Sequence, residues 1–280
     1  MMVTRYDEDR LFVTMQTDHS RVAGFLAAHW GNAKFARPEP WKSVILAAQE
    51  HDRGWWQWEA RPTLSDQHGP LDYQNDTLHH LGALRTRIYA SAVEDLVPID
   101  PYAAVLVQEH LTGLLTAGNG AFSFRKDVSD NPIAKTYLAE QQALRQRLLD
   151  ELGQDAQFDD FTATEHLEAN GQIVEVCDAL AQFLCNRYPL NSPHRGKDPN
   201  RVFAEMPVPM RPGDPATRLV VTVLDEQRLA IDPYPFDQDS LQVNYIGRWL
   251  PSQPYGSRQE FLRDFYRAET VAVNYCLQAA

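Results

Sequence analysis

The sequence predicts a mainly α protein that ends in a small antiparallel β-sheet region. From about residue 10 to Asn186, apolar residues recur at helical spacing in successive segments, each bounded by Asp, Asn, Pro or Gly. Near Asn186 the texture changes to "PLNSPHRGKDPNRVFAEMPVPMRPGDP", which is rich in proline and polar residues and reads as loop. Beyond it come the strand-like runs "RLVVTVL", "RLAIDPY", "LQVNYIGRW" and "TVAVNYCLQ". The expected division is a helical domain over residues 1–186, with a loop and small sheet over 187–280 packed on it.

The segments follow in order. "DHSRVAGFLAAHW" has Asp18 as an N-cap and Val22, Phe25, Leu26 and His29 at helical spacing. "PWKSVILAAQEHD" places a proline at a helix start. "NDTLHHLGALRTRIYASAVEDL" carries the stripe Leu81, Leu84, Ile88 and Val93. "DPYAAVLVQEHLTGLLTAG" runs from Asp-Pro to Gly118, and "NPIAKTYLAEQQALRQRLLDELG" stops at Gly153. "TATEHLEANGQIVEVCDALAQFLCNRY" is one helix, or two with a break at Gly171. In the tail, "DEQ" is short enough for a hairpin between the first two strands, and "SRQEFLRDFYRAE" is a helix before the last strand.

Composition narrows the function. The chain has 280 residues, is 44% hydrophobic and carries a formal charge of −12. An acidic balance argues against a nucleic-acid groove, which needs clustered cations to neutralise phosphates. No apolar run approaches membrane-spanning length, and "MMVTRYDEDR" lacks the basic-then-apolar order of a signal peptide. Cys177, Cys185 and Cys276 show no CxxC spacing and read as free thiols of a reducing, cytoplasmic compartment.

Coordinating side chains fall on successive helical segments: His19, the adjacent pair His51-Asp52, His80 with His79 beside it, His110, and Asp178. Helices that each turn one or two such groups inward can build a metal site in their shared core. Imidazole and carboxylate suit Zn, Fe and Mn.

This order resembles the HD-domain superfamily, helical metal-dependent enzymes named for an adjacent His-Asp pair, and its extra histidines resemble the dinuclear members. The chain is also similar to the bacterial family catalogued as domain of unknown function 3891, through "EHDRGW", "DPYAAVLVQEH" and "IDPYPF". The superfamily resemblance spans about residues 10–186 and implies an HD-like helical bundle. It also implies two metal ions, with Fe leading and Mn or Zn as alternatives. His19, His51 and Asp178 would hold the first metal, His80 (or His79) and His110 the second, and Asp52 would bridge them. His80 is preferred to His79 because Leu84 and Ile88 follow it in four-residue steps.

Many HD hydrolases place a lysine soon after the pair, where this chain continues "RGWWQWE". Arg53 is the candidate to act there with Asp52, and Trp55 is a candidate substrate wall. Arg125-Lys126 and His194-Arg195-Lys197 form basic loops that could meet an anionic small-molecule substrate. The leading expectation is a diiron O₂-dependent oxygenase. A metal-dependent phosphohydrolase and a non-catalytic metal-stabilised binding module are the alternatives.

Overall fold

Strands β1 (Met2–Arg5) and β2 (Arg10–Thr14) open the chain as an antiparallel hairpin. The computed structural model describes residues 1–73, 83–116, 127–187 and 203–280. The helices come next: α1 (Gln16–Ala28), α2 (Trp41–Glu50), a 3₁₀ turn over Arg53–Trp55 that runs into α3 (Trp56–Glu59), α4 (Ala83–Leu96), α5 (Pro101–Gly113), α6 (Pro132–Leu152) and α7 (Thr164–Arg187). The chain closes with β3 (Phe203–Pro209), β4 (Ala216–Val223), β5 (Arg228–Asp232), β6 (Ser240–Pro251), α8 (Arg258–Arg267) and β7 (Thr270–Ala279).

All seven strands form one sheet in the order β1-β2-β6-β7-β5-β4-β3. It is mixed: β5 pairs with β7 in parallel, and every other pairing is antiparallel. The expected mainly α, HD-like bundle with a small C-terminal antiparallel sheet is therefore wrong. The sheet is large, and the N-terminal strand β2 crosses the expected boundary at residue 186 to pair with β6, with β1 at the edge beyond it.

Burial and edge position explain what was missed. Phe12 packs in the main core while its neighbours Leu11 and Val13 pack with Phe261 and Phe265 of α8. A strand buried on both faces shows no apolar–polar alternation. Strand β3 contains Pro207 and Pro209, which read as loop. It lies at the sheet edge, where a missing N–H costs no ladder bond.

Helix termini follow the local chemistry. Asp100 accepts a hydrogen bond from Ala103 N at 2.9 Å with Pro101 behind it, and Asn131 with Pro132 does the same for α6. Asp18 is not the expected N-cap: α1 starts two residues earlier, at Gln16, and Asp18 lies in its first turn. Helix α7 passes through Gly171 unbroken.

Helices α1 and α7 lie against the sheet, α2 and α5 pack on them, and α4 and α6 flank α5. Tyr102 through Val107 of α5 have no exposed surface, so this helix is the centre of the helical layer. Tyr245 of β6 joins the layers by donating its hydroxyl to Leu184 O of α7 at 3.1 Å. On the other face, Gln242, Asn244, Ile246, Ala272 and Asn274 are exposed.

Candidate metal centre

Four of the ligand-bearing segments meet where α1, α2, α5 and α7 converge. Close approach of α1 and α2 depends on Gly24, whose Cβ, if present, would lie 2.6 Å from Cβ of Gln49. At the end of α2, His51 keeps helical backbone angles and Asp52 turns the chain into the 3₁₀ turn. Gly54 follows because a Cβ there would run into the Ile88 carbonyl of α4. The stretch "HDRGW" is thus a helix end pressed against a neighbouring helix.

Inside this junction, His19, His51 and Asp178 offer ligand atoms that all lie within 4.8 Å of one another. His19 Nε2 is 3.2 Å from His51 Nε2 and 2.8 Å from Asp178 Oδ1. His51 Nε2 is 3.3 Å from the same oxygen. The other oxygen of Asp178, Oδ2, lies 3.3 Å from His110 Nε2. Asp52 Oδ2 stands slightly further out, 3.5 Å from His51 Nε2 and 3.7 Å from His19 Nε2. His19, His51 and His110 are at most 3% exposed, and Asp52 is the most accessible of the group at 9%.

The tautomer of His51 follows from its neighbour. A carbonyl only accepts, so the 2.8 Å contact with Ala48 O requires the proton on Nδ1. In neutral His51 the Nε2 lone pair then points into the cluster, the arrangement by which an outer hydrogen bond orients a metal-binding imidazole.

Electrostatics favour positive charge at this point. Burial opposes charge on His51, yet the Asp52 and Asp178 carboxylates outweigh it and raise its pKa to about 9. Burial likewise opposes charge on Asp178, and the imidazoles outweigh it, holding Asp178 well below the usual carboxylate range. Burial raises Asp52. In the metal-free chain a proton on His51 supplies positive charge that a metal ion would replace. Asp178 Oδ1 makes no well-aligned hydrogen bond despite its short contact with His19, and His19 Nδ1 has no partner. The donor set, its burial and this unfilled lone pair fit a bound metal ion.

The remaining candidates separate. Arg53 is held by Glu50 at 3.0 Å and Asp95 at 3.2 Å and lies over the Trp56 ring. Trp55 is buried and lines a small pocket with Met1, Trp58, Glu59 and Tyr73. His79, His80, Arg125, Lys126, His194, Arg195 and Lys197 lie outside the described residues. Cys177 and Cys185 are buried free thiols. The residue that sequence reasoning passed over is Glu59, a buried carboxylate bonded to the backbone of α1. Its one sequence signal is an acidic residue closing an aromatic run.

A family model described as a protein of unknown function, DUF3891, matches residues 2–252. The chain belongs to the DUF3891 family. The match takes in all the clustered side chains and every element from β1 through β6, while α8 and β7 lie beyond it. No curated protein and no solved structure shows significant similarity to the chain. No helix among the described residues is long and apolar enough to cross a membrane.

Proposed function

We propose that this chain is a dinuclear metalloenzyme that oxidises a small molecule with O₂. One observation carries the reading: Asp178 turns one oxygen to His19 and His51 and the other to His110, so a single buried carboxylate faces two groups of imidazoles. His110 stands on the oxygen turned away from His19 and His51, the side on which a second ion would sit. His19, His51 and Asp178 would hold one ion, with Asp52 at its open side. His110 would hold a second ion together with a histidine of the 79–80 pair.

Redox-active ions bound there would supply O₂ activation, and redox-inert ions would supply Lewis acidity. The chain's own part is to present neutral imidazoles, keep Asp178 ionised and exclude water. Val22, Ala23, Leu26, Val44, Ala47, Val107, Leu111 and Cys177 are buried within the same core. The hydrolase alternative asks for a cation beside the His-Asp pair, and Arg53 is already engaged by Glu50 and Asp95. These features favour oxygen chemistry.

Iron content of protein purified without chelators tests the reading, together with electron paramagnetic resonance of the partly oxidised sample. Two irons per chain with a coupled mixed-valent signal, and substrate-dependent O₂ consumption, are expected. One metal per chain with phosphoester turnover would move the assignment to a phosphohydrolase. Bound metal with neither activity would leave a metal-stabilised binding module.

A further inference from the structure

Helix α1 carries His19 but has no side-chain cap of its own, because Met15 stands at its N-cap position. The cap comes from a residue far along the chain. Glu59, at the end of α3, accepts Gln16 N–H through Oε1 at 2.7 Å and Thr17 N–H through Oε2 at 3.1 Å. Its Oε1 also meets the Met1 amine at 3.1 Å. The side chain is buried. A carboxylate on the first-turn N–H groups makes charge-assisted bonds and complements the positive end of the helix dipole.

Position gives this contact a second meaning. His19 follows Thr17 by two residues, about 3 Å along the helix axis. Glu59 closes the short helical stretch that begins immediately after His51-Asp52. One carboxylate therefore ties the start of the helix bearing His19 to the segment leaving His51 and Asp52.

We propose that Glu59 is a positioning residue for the metal centre: by capping α1 from across the fold, it holds His19 at the separation from His51 and Asp178 at which all three share one cation. The inference rests on reading the cluster as a metal site. It explains why "RGWWQWE" follows the His-Asp pair. Buried Trp55 and partly buried Trp58 pack the segment in place, and its last residue reaches back to the first ligand helix.

A double-mutant cycle separates positioning from plain stability. Co(II) affinity of the full chain is measured by chelator competition. Glu59→Gln, which loses the charge and one acceptor oxygen, should bind Co(II) about tenfold more weakly, the lower end of what losing an outer-shell partner costs. In the His19→Ala background the same substitution should cost nothing further, because the ligand it positions is gone. Met15→Asp, a local N-cap on backbone already extended, should restore affinity to Glu59→Gln. If Glu59→Gln alone does not fold, Glu59→Asp, which keeps the charge but is too short to bond both N–H groups, takes its place in the cycle.

Unchanged affinity in Glu59→Gln, or an equal loss in the His19→Ala background, overturns the proposal. If His19→Ala takes up no Co(II), pulsed electron paramagnetic resonance of Cu(II)-loaded protein decides. The Glu59→Gln protein should show one fewer coordinated imidazole than wild type, and an equal count overturns the role. A wild-type chain that binds neither ion overturns the metal reading itself, an outcome distinct from failure of the cycle.

Discussion

Helix α5 presents two neighbouring residues to two different seams, and they are treated differently. Glu109 turns toward α6, where Arg145 meets its carboxylate at 2.7 and 2.5 Å through two guanidinium nitrogens. His110 turns toward α7, where Asp178 has imidazoles on both of its oxygens and, among the described residues, no Lys or Arg contact. In the first seam the chain supplies its own permanent cation. In the second the described residues supply only groups that are positive when protonated. A buried carboxylate without a fixed counter-charge is costly. The seam left in that state is the one that could hold an exogenous cation, and the completed ion pair at Glu109 needs none.

The strongest way to break this contrast is to remove the carboxylates one at a time. Asp178→Ala should lower metal affinity by more than about a hundredfold, beyond the loss from outer-shell changes. Because both of its oxygens face imidazoles, both metals should be lost. Asp52→Ala should retain close to one equivalent, since Asp52 Oδ2 lies further from both His19 and His51. Metal analysis of the two purified variants decides. Two equivalents lost from Asp52→Ala and only one from Asp178→Ala would return the shared position to Asp52, as the HD resemblance implies. Glu109→Gln is the control from the other seam. Its side chain and that of Arg145 are partly exposed, so it should cost about 1 kcal/mol of stability and leave metal content unchanged.

The two seams were not equally legible. His19, His51, Asp52, His110 and Asp178 could be read because each interrupts a run of apolar residues at helical spacing, and a buried polar station on several helices has few explanations. Their meeting at one point follows from packing of α1, α2, α5 and α7, which one sequence only suggests. The sheet was half legible. Strands β4 to β7 alternate or sit beside turn signals, and the short "DEQ" connection does join the antiparallel β4 and β5. Strand β2 hid because both of its faces are buried, and β3 because edge prolines resemble loop. Glu59 was illegible for another reason: it acts on backbone 42 and 43 residues away, and no local pattern encodes that.

A smaller effect, in pH rather than composition, sharpens the same contrast. In the metal-free chain the folded pKa of His51 is raised to about 9, with burial opposed by Asp52 and Asp178. A raised pKa contributes stability that is fully present below the unfolded value near 6.5 and is lost as pH rises through about 9. Metal-free protein should therefore lose a few degrees of Tm between those limits. The loaded protein should not, because metal has already displaced the proton. Calorimetric titration at pH 7.5 in buffers of different ionisation enthalpy should show at least one proton released per chain on metal binding. Equal pH slopes with and without metal, or no proton release, would place His51 outside the coordination shell.

The smallest expected change is at Arg53, the neighbour of Asp52 and the sequence's candidate for contacting substrate. Its guanidinium bonds buried Glu50 and exposed Asp95 and lies 5.1 Å from the Trp56 ring centroid, so its hydrogen-bonding groups are already taken. Solvent screens the pair with Asp95, whereas the Glu50 carboxylate is buried and keeps Gln49 Nε2, at 3.1 Å, as its other partner. Arg53→Gln should therefore cost about 1 kcal/mol, softened by the amide still able to bond Glu50, and leave metal content intact. The informative readout is KM against kcat once a turnover assay exists. If Arg53 only braces the turn after the ligand pair, both parameters should stay within about threefold of wild type, less than the tenfold that 1.4 kcal/mol represents. If substrate binding draws the guanidinium away from Glu50 and Asp95 onto an anionic group, KM should rise with kcat nearly constant, the pattern of binding shared equally by ground and transition states. Glu50→Gln then separates the two: freeing Arg53 from its nearest carboxylate should lower KM if the residue reaches substrate, and should leave KM unmoved if it does not.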